Sequence, residues 1–216
     1  MNKNILTLMA AVILCVGLAA CGNGIKQYPF KAVAENIVEF VESVVNKPDL
    51  KNDETFNKNF RDKQESLLKK MVGTAIATTI DEGLGFELIG EKGVIINTKE
   101  GGWAREKVEI LINFDLKIKD SQTALNNNAL MVVFYDDKDN AVYVEHLQTP
   151  PSKNSDIINR RVRVYFKVFS AKPFVSITKA VIKKYNSELY RAINQSYEEK
   201  TEEERLRIKN AIGSSD

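Results

Sequence analysis

Residues 107–118 read KVEILINFDLKI, and apolar side chains occupy every second position of this stretch. The alternating apolar positions are Val108, Ile110, Ile112, Phe114, Leu116 and Ile118. The positions between them are polar apart from Leu111. A period of two is typical of a β-strand with one buried and one solvated face. A sheet with one solvated face is far more often antiparallel than parallel, so the stretch predicts an antiparallel sheet around this strand.

The chain after this strand carries further candidate strands, at 130–135, 141–147, 162–168 and 174–182. The polar segment 120–128 is predicted to be a loop. Residues 136–140 are Asp-Asp-Lys-Asp-Asn, a composition typical of a hairpin turn because Asp and Asn tolerate left-handed backbone conformations. Strands at spacings of roughly 12 residues or more predict a β-sandwich.

The residues before the strand indicate two helices. Val33, Ile37, Val41 and Val44 follow helical spacing, and a second apolar stripe runs from Phe56 to Met71 after a capping residue at Asp53 or Thr55. Core packing is the expected role of both helices, and a protein-binding groove is the alternative. Candidate strands at 72–80, 84–89 and 94–96 join these helices to the central strand.

The predicted fold class is α+β, with two N-terminal helices packed on antiparallel strands that continue into a β-sandwich. The body is assigned to residues 30–185, of which 30–71 are helical and 72–185 mostly β. Residues 186–216 are predicted to form a C-terminal helix and a frayed tail. The apolar stripe of that helix is weak and contains Leu189, Ile193, Tyr197 and Leu206.

Composition restricts the function. The chain has 216 residues, 31 Lys and Arg against 29 Asp and Glu, one His and two Cys. A net charge of +2 argues against binding that depends on counterion release from nucleic acid. One His, with no Cys after position 21, leaves little from which to build a zinc site or a thiol enzyme. We therefore expect neither a cofactor nor a metal.

The N-terminus has the features of an export signal. Lys3 is followed by a nearly continuous apolar stretch from Ile5 to Leu18, and this stretch is too short to span a bilayer, which takes about 20 residues. The stretch ends in Leu18-Ala19-Ala20-Cys21-Gly22. This sequence resembles the lipobox of bacterial lipoproteins, in which a Leu and two small residues precede the cleavage point.

The resemblance implies that residues 1–20 are a lipoprotein signal peptide and that cleavage leaves Cys21 as the first residue. The Cys21 thiol then carries a diacylglycerol, and the new amino group carries a third acyl chain. Residues 21–29 are expected to be a tether, and the protein to be held in the cell envelope by its lipid, outside the cytoplasm. The alternative is an ordinary secretory signal whose apolar region happens to end at a Cys.

A second resemblance concerns residues 116–120 and 130–142, together with the later strands at 162–168 and 174–182. Their order is similar to that of the small extracytoplasmic β-sandwich domains of the FxLYD type. The sequence departs from that pattern at Asn140, where a Gly usually follows the turn Asp, and the first Phe of the pattern is not clearly placed. The resemblance implies an accessory or adhesive module, and it transfers no functional residue.

The candidate binding surface consists of Trp103, Arg161, Arg163 and Lys167. A lone Trp after two glycines is either a stacking platform for a sugar or an apolar plug at the edge of the core. The basic residues alternate along one predicted strand, and they form either a stripe for anionic lipid or acidic polymer or a solubilising face.

Other polar residues are candidates for catalysis or metal binding. Asp136, Asp137 and Asp139 offer oxygen ligands to calcium, but the twelfth residue that an EF-hand needs as Glu is absent, so a solvated turn is expected. The alternative function is a glycan-active enzyme or enzyme subunit, with Glu109 and Asp115 as its candidate catalytic carboxylates. His146 is expected at the core or its boundary.

The sequence thus predicts a lipid-anchored envelope protein without catalytic activity. Its expected partners are the membrane, reached through the lipid anchor, and another envelope protein or a surface polymer. Nucleic acid is not expected as a partner.

Overall fold

The computed structural model describes residues 28–90, 92–95, 103–104, 107–127, 129–148 and 156–213. Within these ranges, the side chains of residues 92–95, 103–104, 107 and 148 are not described. The fold is mixed α+β, as the sequence predicts. The predicted signal peptide, most of the tether and Cys21 lie outside the described residues.

Helices open and close the described chain. The α-helices are α1 (Lys31–Asn46), α2 (Glu54–Met71), α3 (Ser121–Asn126) and α4 (Ser187–Gly213). Two short 3-10 helices cover Pro48–Asn52 and Lys172–Phe174. The side chain of Asp53 accepts a hydrogen bond from the backbone N–H of Phe56 and so caps α2, as one of the two sequence-based alternatives predicts.

The described residues form nine strands that belong to one hydrogen-bonded sheet. The strands are β1 (Ala75–Ile80), β2 (Phe86–Leu88), β3 (Lys92–Ile95), β4 (Trp103–Ala104), β5 (Lys107–Ile118), β6 (Ala129–Tyr135), β7 (Ala141–Gln148), β8 (Ile157–Lys167) and β9 (Lys179–Lys184). The sheet path is β2-β5-β3-β1-β9-β6-β7, with β4 and β8 also paired to β5. Strand β7, at one end of the path, lies beside β8.

Strand β5 organises this sheet. It pairs antiparallel with β8 along nearly its whole length, from Lys107 opposite Lys167 to Lys117 opposite Ile157. Its other edge is shared by the short strands β2, β3 and β4. The described strand pairs are antiparallel except for β1 and β9, which run parallel. That pair joins strands far apart in sequence, a feature that alternation alone does not reveal.

The alternation in β5 places its apolar positions in the core, as predicted. Ile110, Ile112 and Leu116 are fully buried. Their side of the sheet shares one apolar cluster with residues of α1 and α2. Phe30, just before α1, packs its ring on Phe134 of β6 and Phe166 of β8, with centroids 6.3 and 5.4 Å away. The two N-terminal helices therefore lie on the inner side of the sheet.

Strand β6 is buried on both sides. Leu130, Val132 and Phe134 face the main core, whereas Met131 and Val133 join a second apolar cluster with Ile193 of α4. The C-terminal helix is thus part of the body, since Tyr197 and Ile208 also enter the main core. Leu189 and Leu206, which the sequence placed in its stripe, are exposed.

Two local predictions are wrong. The strand predicted at 174–182 begins only at Lys179, because a 3-10 helix at Lys172–Phe174 buries Phe174 before the chain turns into β9. The loop predicted at 120–128 contains α3, since Asp120 accepts a hydrogen bond from the backbone N–H of Thr123 and caps a helical turn.

Candidate functional site

The outward side of the β5–β8 pair forms a solvated surface. Alternate residues of β8 face outward because Val162, Val164 and Phe166 between them are buried. The same alternation turns the polar positions of β5 outward. We call this surface the basic face. Its described side chains are Glu109, Leu111, Asn113, Asp115, Lys117, Ile157, Asn159, Arg161, Arg163, Tyr165 and Lys167.

The structure brings three of the predicted binding residues together on this face. Arg161, Arg163 and Lys167 are all exposed. Lys167 also places its Nζ 6.0 Å from the ring centroid of Tyr197, near the end of β8. Side chains two residues apart on a strand share a face and lie roughly 7 Å apart. Arg161 and Arg163 are therefore neighbours on this face. Whether this face binds a partner stays a prediction.

The acids of the basic face are engaged locally. Arg163 Nε lies 3.2 Å from Glu109 Oε1, and Asn159 Nδ2 donates a hydrogen bond of 2.6 Å to Asp115 Oδ1. A hydrogen bond with Tyr165 and the charge of Glu109 raise the pKa of Arg163. Among the described residues, no ion pair involves Arg161 or Lys167. Positive charge therefore remains available on the face.

Glu109 and Asp115 do not fit the geometry of a glycosidase pair. They lie six residues apart on β5, and a strand rises about 3.3 Å per residue, so roughly 20 Å separates them. The two carboxyl groups of glycosidases are about 5 to 10 Å apart. Since each acid also has its own partner on the face, this pair cannot act together on one glycosidic bond.

The remaining predicted surface residue, Trp103, starts the two-residue strand β4. Its backbone pairs with Val108 near the beginning of β5. Trp103 is therefore one strand away from β5 at the end where Lys107 pairs with Lys167. Its side chain lies outside the described part of the structure, so its role stays a prediction.

The acidic loop is a hairpin turn, as expected. Asp136 Oδ1 accepts hydrogen bonds from the backbone N–H groups of Lys138 and Asn140, at 2.9 and 2.8 Å. Burial alone raises the pKa of Asp136, but these bonds and that from the Asn140 side chain outweigh it and hold the pKa below its usual value. Asp139 has a φ of 64° and pairs with Lys179 at 2.7 Å. The carboxylates thus serve the turn.

Two further observations concern metal and membrane. In the ranges that the structure describes, no three His, Cys, Asp or Glu side chains are grouped to hold a metal ion. No described helix combines the length and the apolar character needed to cross a membrane.

A polar cluster that the sequence did not single out fills the region where β7 lies beside β8. The Tyr143 hydroxyl donates a hydrogen bond to Glu145 Oε1 on the same strand. The Tyr197 hydroxyl of α4 lies 2.7 Å from Ser170 Oγ and 3.5 Å from the backbone oxygen of Tyr165. The only sequence signal was the i, i+2 spacing of Tyr143 and Glu145, which puts both on one side of β7.

Burial dominates the electrostatics of this cluster. It raises the pKa of Tyr197 to about 12 and raises the pKa of Tyr143 further above its ordinary value. Burial also raises the pKa of Glu145, although the Tyr143 hydroxyl opposes this. The ring of Tyr143 contacts those of Phe134, Phe174 and Tyr197 at 5.3 to 5.9 Å. These aromatic contacts indicate that the cluster closes the core between β7 and β8.

A groove runs between α1 and α2, the pair that the sequence left open as core elements or a protein-binding groove. Phe40 stacks on Phe56 and Phe60, with centroids 5.3 and 4.3 Å away, and Lys63 bridges to Glu39 at 2.5 Å. The groove holds about 150 Å³. Small-molecule pockets hold about 300 to 1,000 Å³, so this groove is too small for such a ligand, and its role in binding a protein stays a prediction.

His146 differs from expectation. It is exposed on β7, and its ring stands edge-on to Tyr185 with centroids 4.8 Å apart. It lies opposite Met131, a buried member of the second apolar cluster, and Tyr185 packs on the same cluster, so His146 covers the outer edge of that cluster.

Comparisons with known proteins give no family. No protein-family model, no curated protein and no solved structure matches the chain.

Proposed function

We propose that this chain is a lipid-anchored protein of the cell envelope that acts by binding, without catalysis, and that the basic face is its binding surface. The observation that carries the proposal is the exposed row of Arg161, Arg163 and Lys167 on one strand. Basic side chains held on a rigid strand present fixed charge to a partner, and Arg in particular suits bidentate contacts with anionic groups.

The anchor follows from the sequence Leu18-Ala19-Ala20-Cys21 at the end of the apolar stretch. Each methylene buried in a bilayer contributes about 0.8 kcal/mol, and stable attachment takes more than one acyl chain. A triacylated Cys21 exceeds that requirement. The body then works next to a membrane, on a tether that ends at Pro29.

The absence of catalysis is part of the proposal, and the contacts of the candidate acids support it. Glu109 is held by Arg163 and Asp115 by Asn159. Glu145, whose pKa is raised, accepts a hydrogen bond from the Tyr143 hydroxyl within a packed aromatic cluster. Each of these carboxyl groups has a local structural role.

We also infer that the curved sheet works as a sandwich-like scaffold. Strands β5 and β8 form one side of this scaffold, and β6 and β7 form the other. Their inward-facing residues, such as Ile110, Val164, Phe134 and Leu147, share one common core. A scaffold of this kind holds the outward face of β5 and β8 rigid.

The anchor is tested by metabolic labelling with radioactive palmitate in the native host. Cys21→Ser is expected to abolish incorporation of label, whereas Cys15→Ser is the matched control and keeps it, because Cys15 lies in the segment that is removed. Label that persists in Cys21→Ser would contradict the anchor. The basic face is tested by the vesicle experiment below.

A further inference from the structure

The geometry points to anionic lipid headgroups as the partner of the basic face: we propose that this face docks on the membrane that holds the anchor. The inference rests on the proposed function, because it takes the tethered body as its starting point. It names the partner class and gives the body a fixed orientation, with β5 and β8 against the bilayer and α1 and α2 away from it.

The charge of the face fits such a surface. The four basic side chains are Lys117, Arg161, Arg163 and Lys167, and the two acidic ones are Glu109 and Asp115. Both acids are already engaged within the face. Each Lys or Arg held near an anionic bilayer strengthens binding to it about fivefold. Because the anchor already holds the body close to the membrane, four such residues are enough to favour the docked orientation.

The apolar residues of the face favour a bilayer over a soluble acidic polymer. Ile157 lies outward at one end of β8 and is 53% exposed. Leu111 lies outward on β5 opposite Arg163 and is half-buried. Headgroup regions accept apolar side chains beside basic ones, as interfacial helices do. A soluble polyanion offers no such environment.

The attachment point of the tether also places the face at the membrane. Phe30 is wholly buried and packs on Phe166, the neighbour of Lys167. The chain therefore enters the body close to the Lys167 end of the face. Nine tether residues from Cys21 to Pro29 reach at most about 30 Å when fully extended. The point where the chain enters the body therefore stays within that distance of the bilayer.

The acidic turn at the same end does not oppose docking strongly. Asp139 is paired with Lys179 at 2.7 Å, and Asp137 accepts a hydrogen bond of 3.2 Å from the Tyr28 hydroxyl. Asp136 is occupied by the turn itself. These carboxylates belong to the turn between β6 and β7, and none of them lies on β5 or β8.

The test uses the mature full-length protein, purified from membranes in detergent and mixed with lipid vesicles. The vesicles are phosphatidylcholine alone or phosphatidylcholine with phosphatidylglycerol at a ratio of 3:1. Ile157→Cys carries an environment-sensitive fluorophore on the basic face. Glu65→Cys carries the same fluorophore on α2, which lies on the inner side of the sheet and is the matched control.

The label at position 157 is expected to report headgroup contact on anionic vesicles only, and the label at position 65 is expected to report contact on neither kind of vesicle. The variant R161E/R163E/K167E is expected to lose the contact at least tenfold. The variant K51E/K69E/K70E changes the net charge equally at exposed lysines of the helical layer and is expected to keep it. Thermal unfolding checks the fold of both. Should either unfold, loss of the wild-type signal at high salt is the deciding measurement.

Equal signals on neutral and anionic vesicles would overturn the inference, and so would equal losses in the two triple variants. A signal produced by soluble polyphosphate but not by vesicles would assign the face to a polymer instead. Flotation with neutral vesicles tests the lipid anchor independently of the basic face. Protein that floats without headgroup contact at position 157 keeps the proposed anchor and refutes docking. Protein that floats only with anionic vesicles refutes the anchor and retains docking.

Discussion

Glu145 is held in surroundings that disfavour its charge. Burial raises its pKa above the ordinary value of 4.5, while the hydroxyl of Tyr143 donates to it. Because the pKa is raised in the folded state, the stabilising contribution of the protonated acid is complete below the ordinary pKa. That contribution is lost as pH rises through the folded-state pKa. At neutral pH the ionised Glu145 therefore lowers the free energy of unfolding.

Glu145→Gln is expected to raise the free energy of unfolding at pH 7, because the amide keeps an acceptor for Tyr143 and carries no charge. The gain is expected to disappear near about pH 4, where the wild-type acid is protonated. Urea unfolding across this range measures both. Glu203→Gln, on the exposed side of α4, is the control and is expected to change little. A neutral-pH gain of zero would show that the carboxylate is well solvated.

Gly85 combines a backbone requirement with a close contact. Its φ is +78°, and a Cβ there would lie 2.5 Å from the backbone N of Ala124 and 2.9 Å from the backbone O of Asp120. Gly85 also accepts hydrogen bonds from the backbone N–H groups of Lys119 and Asp120. Gly85 therefore allows the start of α3 to pack closely against the turn before β2.

Gly85→Ala is expected to destabilise the fold clearly more than Gly83→Ala. Both positions have a left-handed φ, which costs a non-glycine residue about 1–2 kcal/mol, but at Gly83 nothing lies within 4 Å of the added Cβ. The difference between the two variants in urea unfolding isolates the clash with backbone atoms. Equal losses would mean that α3 shifts freely to make room.

The two N-terminal helices meet through a buried polar pair. Asn36 Nδ2 donates a hydrogen bond of 2.8 Å to Gln64 Oε1, and Gln64 Nε2 reaches the backbone oxygen of Val33 at 3.3 Å. Gln64 is fully buried and Asn36 is 4% exposed. Such a pair fixes the register of α1 on α2, since any slip leaves both amides without partners.

Asn36→Leu is expected to cost about 1–3 kcal/mol, because it leaves a buried acceptor of Gln64 unpaired. The double variant Asn36→Leu/Gln64→Leu is expected to be more stable than the single one, as neither buried amide is then orphaned. A double-mutant cycle measured by urea unfolding gives the coupling. Strictly additive losses would contradict a direct interaction between the two side chains.

Tyr197 ties the C-terminal helix to β7 and to the segment that follows β8. Its ring contacts Tyr143 of β7 and Phe174, and its hydroxyl lies 2.7 Å from Ser170 just after β8. The pairing of β7 with β6 alone, and of β8 with β5, leaves this region to be closed by side chains. Helix α4 is therefore required for the body to close.

Tyr197→Phe is expected to cost about 1 kcal/mol for the lost hydrogen bond, and Tyr197→Ala about 3–5 kcal/mol for the lost ring. Urea unfolding measures both. Tyr190→Phe is the control: its ring meets Tyr185 at the edge of the second cluster, and little change is expected. Equal losses in the Phe and Ala variants at position 197 would show that the hydroxyl, and not the ring, holds the helix.

Local pattern predicted much of this architecture. The alternation around Ile112 located β5, and helical spacing located α1 and α2, because both signals depend on one buried face. The parallel pairing of β1 with β9 was not predictable, since it joins residues about 100 positions apart and rests on the whole path of the sheet. The capped turn of α3 was overlooked because its stretch is almost wholly polar.

The candidate site was predictable only in part. Period two placed Arg161, Arg163 and Lys167 on one side of a strand, and the structure shows that side to be exposed. The ion pair of Glu109 and the hydrogen bond of Asp115 were not predictable, because their partners come from the paired strand β8. The cluster around Glu145 likewise depends on a helix more than 40 residues further along the chain.

The central claim is that a lipid on Cys21 holds this body at a membrane, and mass spectrometry of the protein purified from its native envelope tests it most directly. The account predicts a chain that begins at Cys21 and carries a diacylglycerol thioether together with an amide-linked acyl chain. A mature chain that begins at another residue, or a Cys21 of unmodified mass, would contradict it.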